Sequence, residues 1–479
     1  NQFSSFPNQL AQLGSGTGAQ PFASAADYAA WRARGARVPV LVDSMIANMR
    51  QGMAAGVVQP RVLMERVLPQ LDALIKDAPE ETLFWRPVAA MPEAIGADDR
   101  ARIEGEYRAM IADELMPAFR RLREFVATEY LPACRDTHGL ADLPDGEAWY
   151  AFNAARSTTT AMTPEEIHAI GLAEVARIHG EMRQVMARVG FAGDLPAFFE
   201  HLTTDPRFEF ESEQALLDAY NAFGEALEPA ITAQFTLLPR AGFEIRPVEA
   251  YRAASAAGGS YQRPSEDGTR PGIFYVNTYD LPSRKTWDVA SLYLHEAKPG
   301  HHFQLALQQE LTGLPMFRRF GGETAFSEGW GLYAESLGDA LGAYEDPYQK
   351  FGALQAELWR AIRLVVDTGL HAKGWTREQV IDYMLANSAT TMTEARAEAE
   401  RYMAIPGQAL AYKIGQLRIQ QLRAQAEQAL GERFDAAAFH AEVLRDGSVP
   451  LDVLEEKVAR WIADTNAGTP TTATPEATP

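Results

Sequence analysis

The feature that most constrains this chain is a helical rhythm that runs through nearly all of it. Thr163-Pro164-Glu165-Glu166 supplies an N-cap, a proline at the first helical position and a carboxylate at the third. Ile167, Ile170, Val175, Ile178 and Met182 then recur at helical spacing. Thr376 and Gln379 repeat the capping logic ahead of Val380, Tyr383 and Met384, and Ala- and Gln-rich stretches at 305–310 and 416–430 favour helix. About a dozen helices are expected from this pattern. One region breaks it. From about Gly242 to Asp280, the segments FEIRPVEA, GSYQRP and GIFYVNTY are short, β-branched and aromatic, and are separated by turn residues. The predicted fold is mainly α, a large multi-helical body with a small β-sheet beside the helix that begins near Trp287.

A chain of 479 residues allows several domains or one large helical enzyme. Its 47% hydrophobic and 23% charged residues are those of a globular protein with a substantial core. No repeat of fixed period is visible, so a solenoid is not expected. Residues 21–465 read as a single large domain, 1–20 as a loose entry segment rich in Ser, Gly, Asn and Gln, and 466–479 as a disordered tail with almost nothing to bury. The chain begins at Asn1 with no basic-then-apolar leader, which predicts a processed or trimmed product.

Charge and cysteine usage exclude several functions. Sixty-four acidic against 44 basic side chains leave −20, a field that repels nucleic-acid phosphates and anionic lipid. No apolar run reaches the roughly 18–20 residues of a membrane span. The single cysteine, Cys134, excludes an intrachain disulfide and a thiolate zinc cluster, so any metal must be held by His and carboxylates. One thiol leaves the compartment open, and nothing in the sequence sets the oligomeric state or the native metal.

The chemistry concentrates at 287–340. Three of the nine histidines, His295, His301 and His302, fall in SLYLHEAKPGHHFQLALQQE. His295-Glu296 matches the start of the His-Glu-x-x-His peptidase helix, in which both histidines bind zinc and the glutamate is the general base. Position 299, where the second His belongs, is Pro299. On a straight helix His301 would lie about 9 Å along the axis and about 120° around from His295, and the two imidazoles could not share one ion. Pro299 removes a helical hydrogen bond and Gly300 accepts unusual backbone angles, so a bulge that loops out two residues is expected to bring His301 back. A kinked core helix with merely hydrogen-bonded histidines is the alternative. The best third ligand is Glu328 in AFSEGWGLYAES, on a second helix expected to pack antiparallel. Glu335, seven residues later on the same face, can support a ligating His.

The segments DGTRPGIFYVN, HEAKPGHHFQ, EGWGLYAE, STTTAMTPEEIH and PGQALAYKIGQLRIQQLR closely resemble the bacterial family known as domain of unknown function 885, grouped with the thermolysin-like zinc peptidases. The likeness runs from about residue 20 to 462. It implies one zinc per chain on His295, His301 and Glu328, Glu296 as base, and a helical fold with a small sheet whose edge strand precedes the metal helix. Members often begin with an export signal, so the resemblance favours a periplasmic or secreted location.

The expected activity is a zinc-dependent, possibly carboxypeptidase-like hydrolase of short peptides. Water would be activated by the metal, with Glu296 moving the proton. Tyr412 is the candidate oxyanion donor by analogy with related helical zinc peptidases, and a core tyrosine otherwise. His302 is a second donor candidate, or a surface or supporting residue. Lys413, Arg418 and Arg423 could hold a substrate carboxylate, or be solvated helix charges. Tyr275 and Asn277 could pair with an extended peptide by strand addition. A metal-dependent amidase or esterase of non-peptide substrates, and a non-catalytic binding protein on the same fold, are the competing readings. Retention of Glu296 beside a ligand argues against the latter.

Overall fold

The computed structural model describes residues 1–468, apart from residues 4, 17–19, 250–252 and 254–255. The fold is mainly α, with one three-stranded sheet among the described residues. The chain divides into two compact units, Asn1–Gly146 with Ala397–Ala404, and Glu147–Arg396 with Ile405–Pro479.

The first unit is helical. Within residues 1–20, Phe6–Gly14 is a helix capped by Ser5, and its Leu10 is buried. Ser24 and Asp27 form a capping box that opens Ala25–Gly35, which buries Tyr28 and Trp31 in a core shared with Phe84, Tyr107 and Phe119. Two widened π-type stretches, Met110–Leu115 and Val126–Tyr130, stand just ahead of Pro117 and Pro132. Those prolines have no N–H to give to the preceding turn, and the ladder loosens there.

The second unit carries the chemistry, and the elements that position it are labelled here in chain order. They are α1 (Pro164–Arg188), α2 (Glu213–Gln234), β1 (Phe243–Pro247), β2 (Gly259–Gln262), β3 (Gly272–Val276), α3 (Val289–Glu296), α4 (His301–Glu310), α5 (Thr324–Ser336), α6 (Pro347–Ala372) and α7 (Ala411–Leu430). The capping boxes expected at Thr163/Glu166 and Thr376/Gln379 both form. Helices outnumber the dozen expected because several stretches that read as continuous are broken, 289–310 among them.

The sheet lies where the β-rich stretch predicts it, in the order β1-β3-β2. β3 pairs in parallel with β1 (Phe243↔Gly272 to Pro247↔Val276) and antiparallel with β2 (Gly259↔Val276 to Gln262↔Ile273). β3, the strand that precedes α3, is therefore central, where an edge strand was expected. β2 is the strand that meets α3: a Cβ at Gly259 would lie 3.0 Å from a Leu292 methyl. The expected tail lies outside the described residues from 469 onward.

Candidate metal centre

Residues 289–310 would form one helix if propensity alone decided. The chain breaks instead: α3 ends at Glu296, α4 starts at His301, and Ala297 (ψ −111°) and Gly300 (ψ −125°) leave the helical region between them. Pro299, which follows a cis peptide bond, has no N–H to donate. A Cβ at Gly300 would sit 1.9 Å from the His295 carbonyl oxygen, so only glycine fits. The link is pinned by Trp330, whose Nε1 donates to the Pro299 carbonyl at 2.8 Å. The break is larger than the two-residue bulge expected, and it brings the His295 and His301 rings to a centroid separation of 4.6 Å, nearly perpendicular.

α5 runs antiparallel to α3, as its contacts descend in order: Ser291 meets Glu335, and His295 meets Gly331 and then Glu328. Two glycine pairings permit this approach. A Cβ at Gly331 would stand 2.7 Å from the His295 ring, and one at Gly329 would stand 2.5 Å from Gly415 of α7. The EGWG sequence therefore places Glu328 where its helix is pressed from both sides. Gly329, Trp330, Gly331, Leu332 and Tyr333 are all buried.

Glu328 Oε2 lies 3.6 Å from His295 Nε2 and 3.5 Å from His301 Nε2. The three donor atoms all lie within 4.8 Å of one another, the one such group among the described residues. These separations are too long for hydrogen bonds. They match a tetrahedral zinc ion with bonds of about 2.0–2.1 Å, which would set its ligand atoms about 3.3–3.4 Å apart. Two imidazoles and one carboxylate are also the donor set of a catalytic zinc site with a fourth position open. The residues present fit the ion.

The surroundings are tuned to the donors. His295 Nδ1 donates to Glu335 Oε1 at 2.7 Å, and Ser291 Oγ donates to Glu335 Oε2 at 2.6 Å. This leaves Nε2 of His295 aimed at Glu328. Burial resists charge on His295, but Glu328 and Glu335 outweigh it and push the imidazole up to about 10. Burial likewise works against the Glu328 carboxylate, and His295 and His301 overcome it, holding Glu328 well below the usual range. Glu296 Oε2 and His301 Nδ1 are buried with no hydrogen-bond partner among the described residues.

The other residues singled out from the sequence have different surroundings. His302 is buried against Phe243, its Nδ1 bonded to the Tyr261 hydroxyl at 2.8 Å, and burial pushes it down to about 3. It locks α4 to the sheet. Tyr275 and Asn277 cannot receive an added strand, because both edges of β3 are already paired. The buried Asn277 amide instead donates to the carbonyls of Ala253 and Ala256. Lys413 is fully buried among Glu174, Glu357 and Gln416. Arg418 pairs with Glu455, and Arg423 with Glu427 and the Tyr333 hydroxyl. These three cations are taken by protein partners, so the expected carboxylate clamp is not formed by them. Tyr412 lies at the start of α7 with the guanidiniums of Arg363 and Arg360 at 4.7 and 6.0 Å from its ring. Sequence reasoning missed Ser291, although it stands one turn before His295 on the same helical face, a legible position for a group that orients Glu335.

A model of the family described as bacterial protein of unknown function (DUF885) matches residues 1–458. The chain is similar to a solved structure of a candidate lipoprotein from Colwellia psychrerythraea, with 33% identity and a TM-score of 0.87 over 93% of this chain and 77% of that one. A candidate lipoprotein of unknown function from Shewanella oneidensis shares the fold at 19% identity and a TM-score of 0.72, over 95% and 82% of the two chains. No curated protein matches the chain.

Proposed function

This chain belongs to the bacterial family DUF885, and from that premise we propose that it is a zinc-dependent hydrolase cleaving peptide bonds of short peptides, in the manner of the thermolysin-like peptidases. One observation carries the reading: three donor atoms converge within 4.8 Å of one another, Glu328 lying 3.5 and 3.6 Å from the two imidazole nitrogens, while the neighbouring Glu296 keeps a buried carboxylate oxygen that no described residue claims. When bound, zinc supplies Lewis acidity that polarises a carbonyl and makes water a stronger acid.

The chain's own residues do the rest. Glu335 fixes the tautomer and tilt of His295, and Ser291 fixes Glu335. Glu296 accepts the proton of the attacking water and returns it to the leaving nitrogen. The Tyr412 hydroxyl donates to the carbonyl oxygen as negative charge grows on it. No helix of the described residues is long and apolar enough to cross a membrane. An extracytoplasmic location is part of the proposal, supported by the lipoprotein description of the Colwellia psychrerythraea relative.

The test is metal analysis of the purified chain alongside assays on peptide and acyl-ester substrates. Glu296→Gln should keep zinc and fold yet turn over at least about a hundredfold more slowly. Near-normal peptide turnover in that variant would remove Glu296 from the mechanism. Ester hydrolysis without peptide hydrolysis would make the protein a metal-dependent esterase.

A further inference from the structure

The two imidazoles of the candidate centre are supported unequally. His295 gives its second ring nitrogen to Glu335. Nδ1 of His301, across the ring from the Nε2 that faces Glu328, is buried with no hydrogen-bond partner among the described residues. A histidine that binds metal through Nε2 carries its proton on Nδ1, and that N–H almost always has an acceptor. The nearby backbone is poorly placed to be one. His301 is the first residue of α4, and the first turn of a helix presents N–H groups rather than free carbonyls. The Gly300 carbonyl already accepts from the Gln304 N–H at 3.1 Å.

Gln304 stands about 4.5 Å along the helix axis and about 60° around from His301, and helical side chains lean back over the turn that precedes them. It is 1% exposed, and its Oε1 is likewise buried without a partner among the described residues. The sense of that amide is forced from further along α4. Gln308 Nε2 donates to the carbonyls of Arg318 at 2.6 Å and Gly321 at 2.8 Å, which a reversed amide could not do. Its Oε1 therefore turns to Gln304 Nε2 at 2.8 Å and to the Ser448 N–H at 3.3 Å. Gln304 must offer its NH2 group to Gln308, and its carbonyl oxygen is the end left over. One turn of α4 thus buries a donor without an acceptor and an acceptor without a donor.

We propose that Gln304 is a positioning residue for the metal centre. Its Oε1 accepts the Nδ1–H of His301, directly or through one water, and keeps Nε2 turned toward Glu328, while Gln308 fixes the sense of the amide. Gln304 then does for His301 what Glu335 does for His295. This rests on the zinc reading of the centre, and the test separates the two.

Chelator competition on the purified full chain measures zinc affinity without any need for turnover. Gln304→Met should weaken it about 10- to 100-fold. Gln309→Met is the control, because Gln309 lies on the same helix and also leaves a buried Oε1 unpaired, yet stands about 12 Å along the axis from His301. Its affinity should stay within about threefold of wild type, since it supports no ligand. Circular dichroism establishes that each variant is folded. A second readout serves should Gln304→Met not fold. In the cobalt-loaded wild-type chain the ring N–H protons of the two ligating histidines are displaced from the rest of the proton spectrum, and both should exchange slowly with solvent. Gln304→Met should shift one of them and speed its exchange, whereas a loss of packing alone would leave both in place. Unchanged zinc affinity in a folded Gln304→Met chain, or one of the two protons exchanging freely in wild type, would overturn the proposal. A wild-type chain that binds neither zinc nor cobalt would remove the metal reading and the proposal with it. A loaded chain that shows both effects and hydrolyses nothing would lose the hydrolase reading alone.

Discussion

Two clusters of buried charge lie in the second unit, and they are built on opposite plans. Around Lys413 every group is paired: its ammonium reaches Glu357 at 2.6 Å and Glu174 and Gln416 at 2.8 Å, and Arg177 donates to Glu174 and Glu357 at 2.7 Å. Around His295 the reverse holds. Three donor atoms are held apart at more than hydrogen-bond distance, and carboxylate and imidazole atoms are buried without partners. A cavity of about 340 Å³, lined by Glu174, Arg177, Glu357 and Glu335 among others, borders the first cluster, and Glu335 is also the residue that holds His295. Burial of charge alone therefore says little about function. What distinguishes the two is whether the protein completes the coordination of its own groups.

The comparison breaks most decisively at the proposed metal ligands. His301→Ala should abolish zinc binding and with it turnover. His302→Ala should keep about one zinc per chain and lose instead about 1–3 kcal/mol of stability, because the Tyr261 hydroxyl is left without its partner. Zinc analysis and thermal melts read both, and the opposite pattern would move the ligand by one residue.

Next in size is Lys413→Met, which removes the fully buried ammonium and leaves Glu174 and Glu357 close together with Arg177 as their shared cation. A loss of about 3–5 kcal/mol is expected, with zinc affinity unchanged. Denaturant unfolding with and without chelator tests this, and a variant that loses zinc but not stability would make Lys413 part of the site. Acid should dismantle the same cluster. Burial disfavours the Glu174 carboxylate, but Arg177 and Lys413 outweigh it and lower its pKa from 4.5 to about 2. Its contribution is then fully present above about pH 4.5 and lost as pH falls through about 2. That amounts to about 3 kcal/mol at most. Chelated protein should show this loss in stability measured across that window, and Glu174→Gln should flatten it.

Much of the candidate metal centre is legible in the sequence because its signals are local or exclusive. One cysteine leaves His and carboxylate as donors, the offset from His295 to His301 demands a break, and Pro299-Gly300 supplies it. The capping boxes are local in the same sense. What sequence does not carry is pairing across long separations. The position of β3 between its neighbours depends on a parallel partner reached through a connection, and nothing within GIFYVNTY reveals it. A basic residue on a helix likewise looks free until its partner is found, and those of Lys413 come from α1 and α6.

Glu335 stands between the two clusters, and Glu335→Gln separates their roles. The amide can still accept from His295 but no longer carries the charge that supports the imidazole, so zinc affinity should fall about 10- to 100-fold. That corresponds to about 1.4–2.7 kcal/mol at the metal. Competition with a chelator measures it, and an unchanged affinity would reduce Glu335 to a packing residue.

The smallest expected effect tests whether exposed pairing resembles the buried cluster at all. Arg418 and Glu455 lie 3.0 Å apart, with side chains 23% and 46% exposed, so water screens the attraction and two flexible side chains lose entropy in meeting. Arg418→Gln should therefore change stability by no more than about 1 kcal/mol, and less at high salt. Peptide turnover should be untouched, since the guanidinium is held by Glu455 and contributes no free charge to a substrate. Melting temperature at low and high salt, with kcat/KM for free and amidated peptides, reads both parts. If turnover of the free acid alone fell, Arg418 would have to leave Glu455 when substrate arrives, and α7 would supply a carboxylate contact.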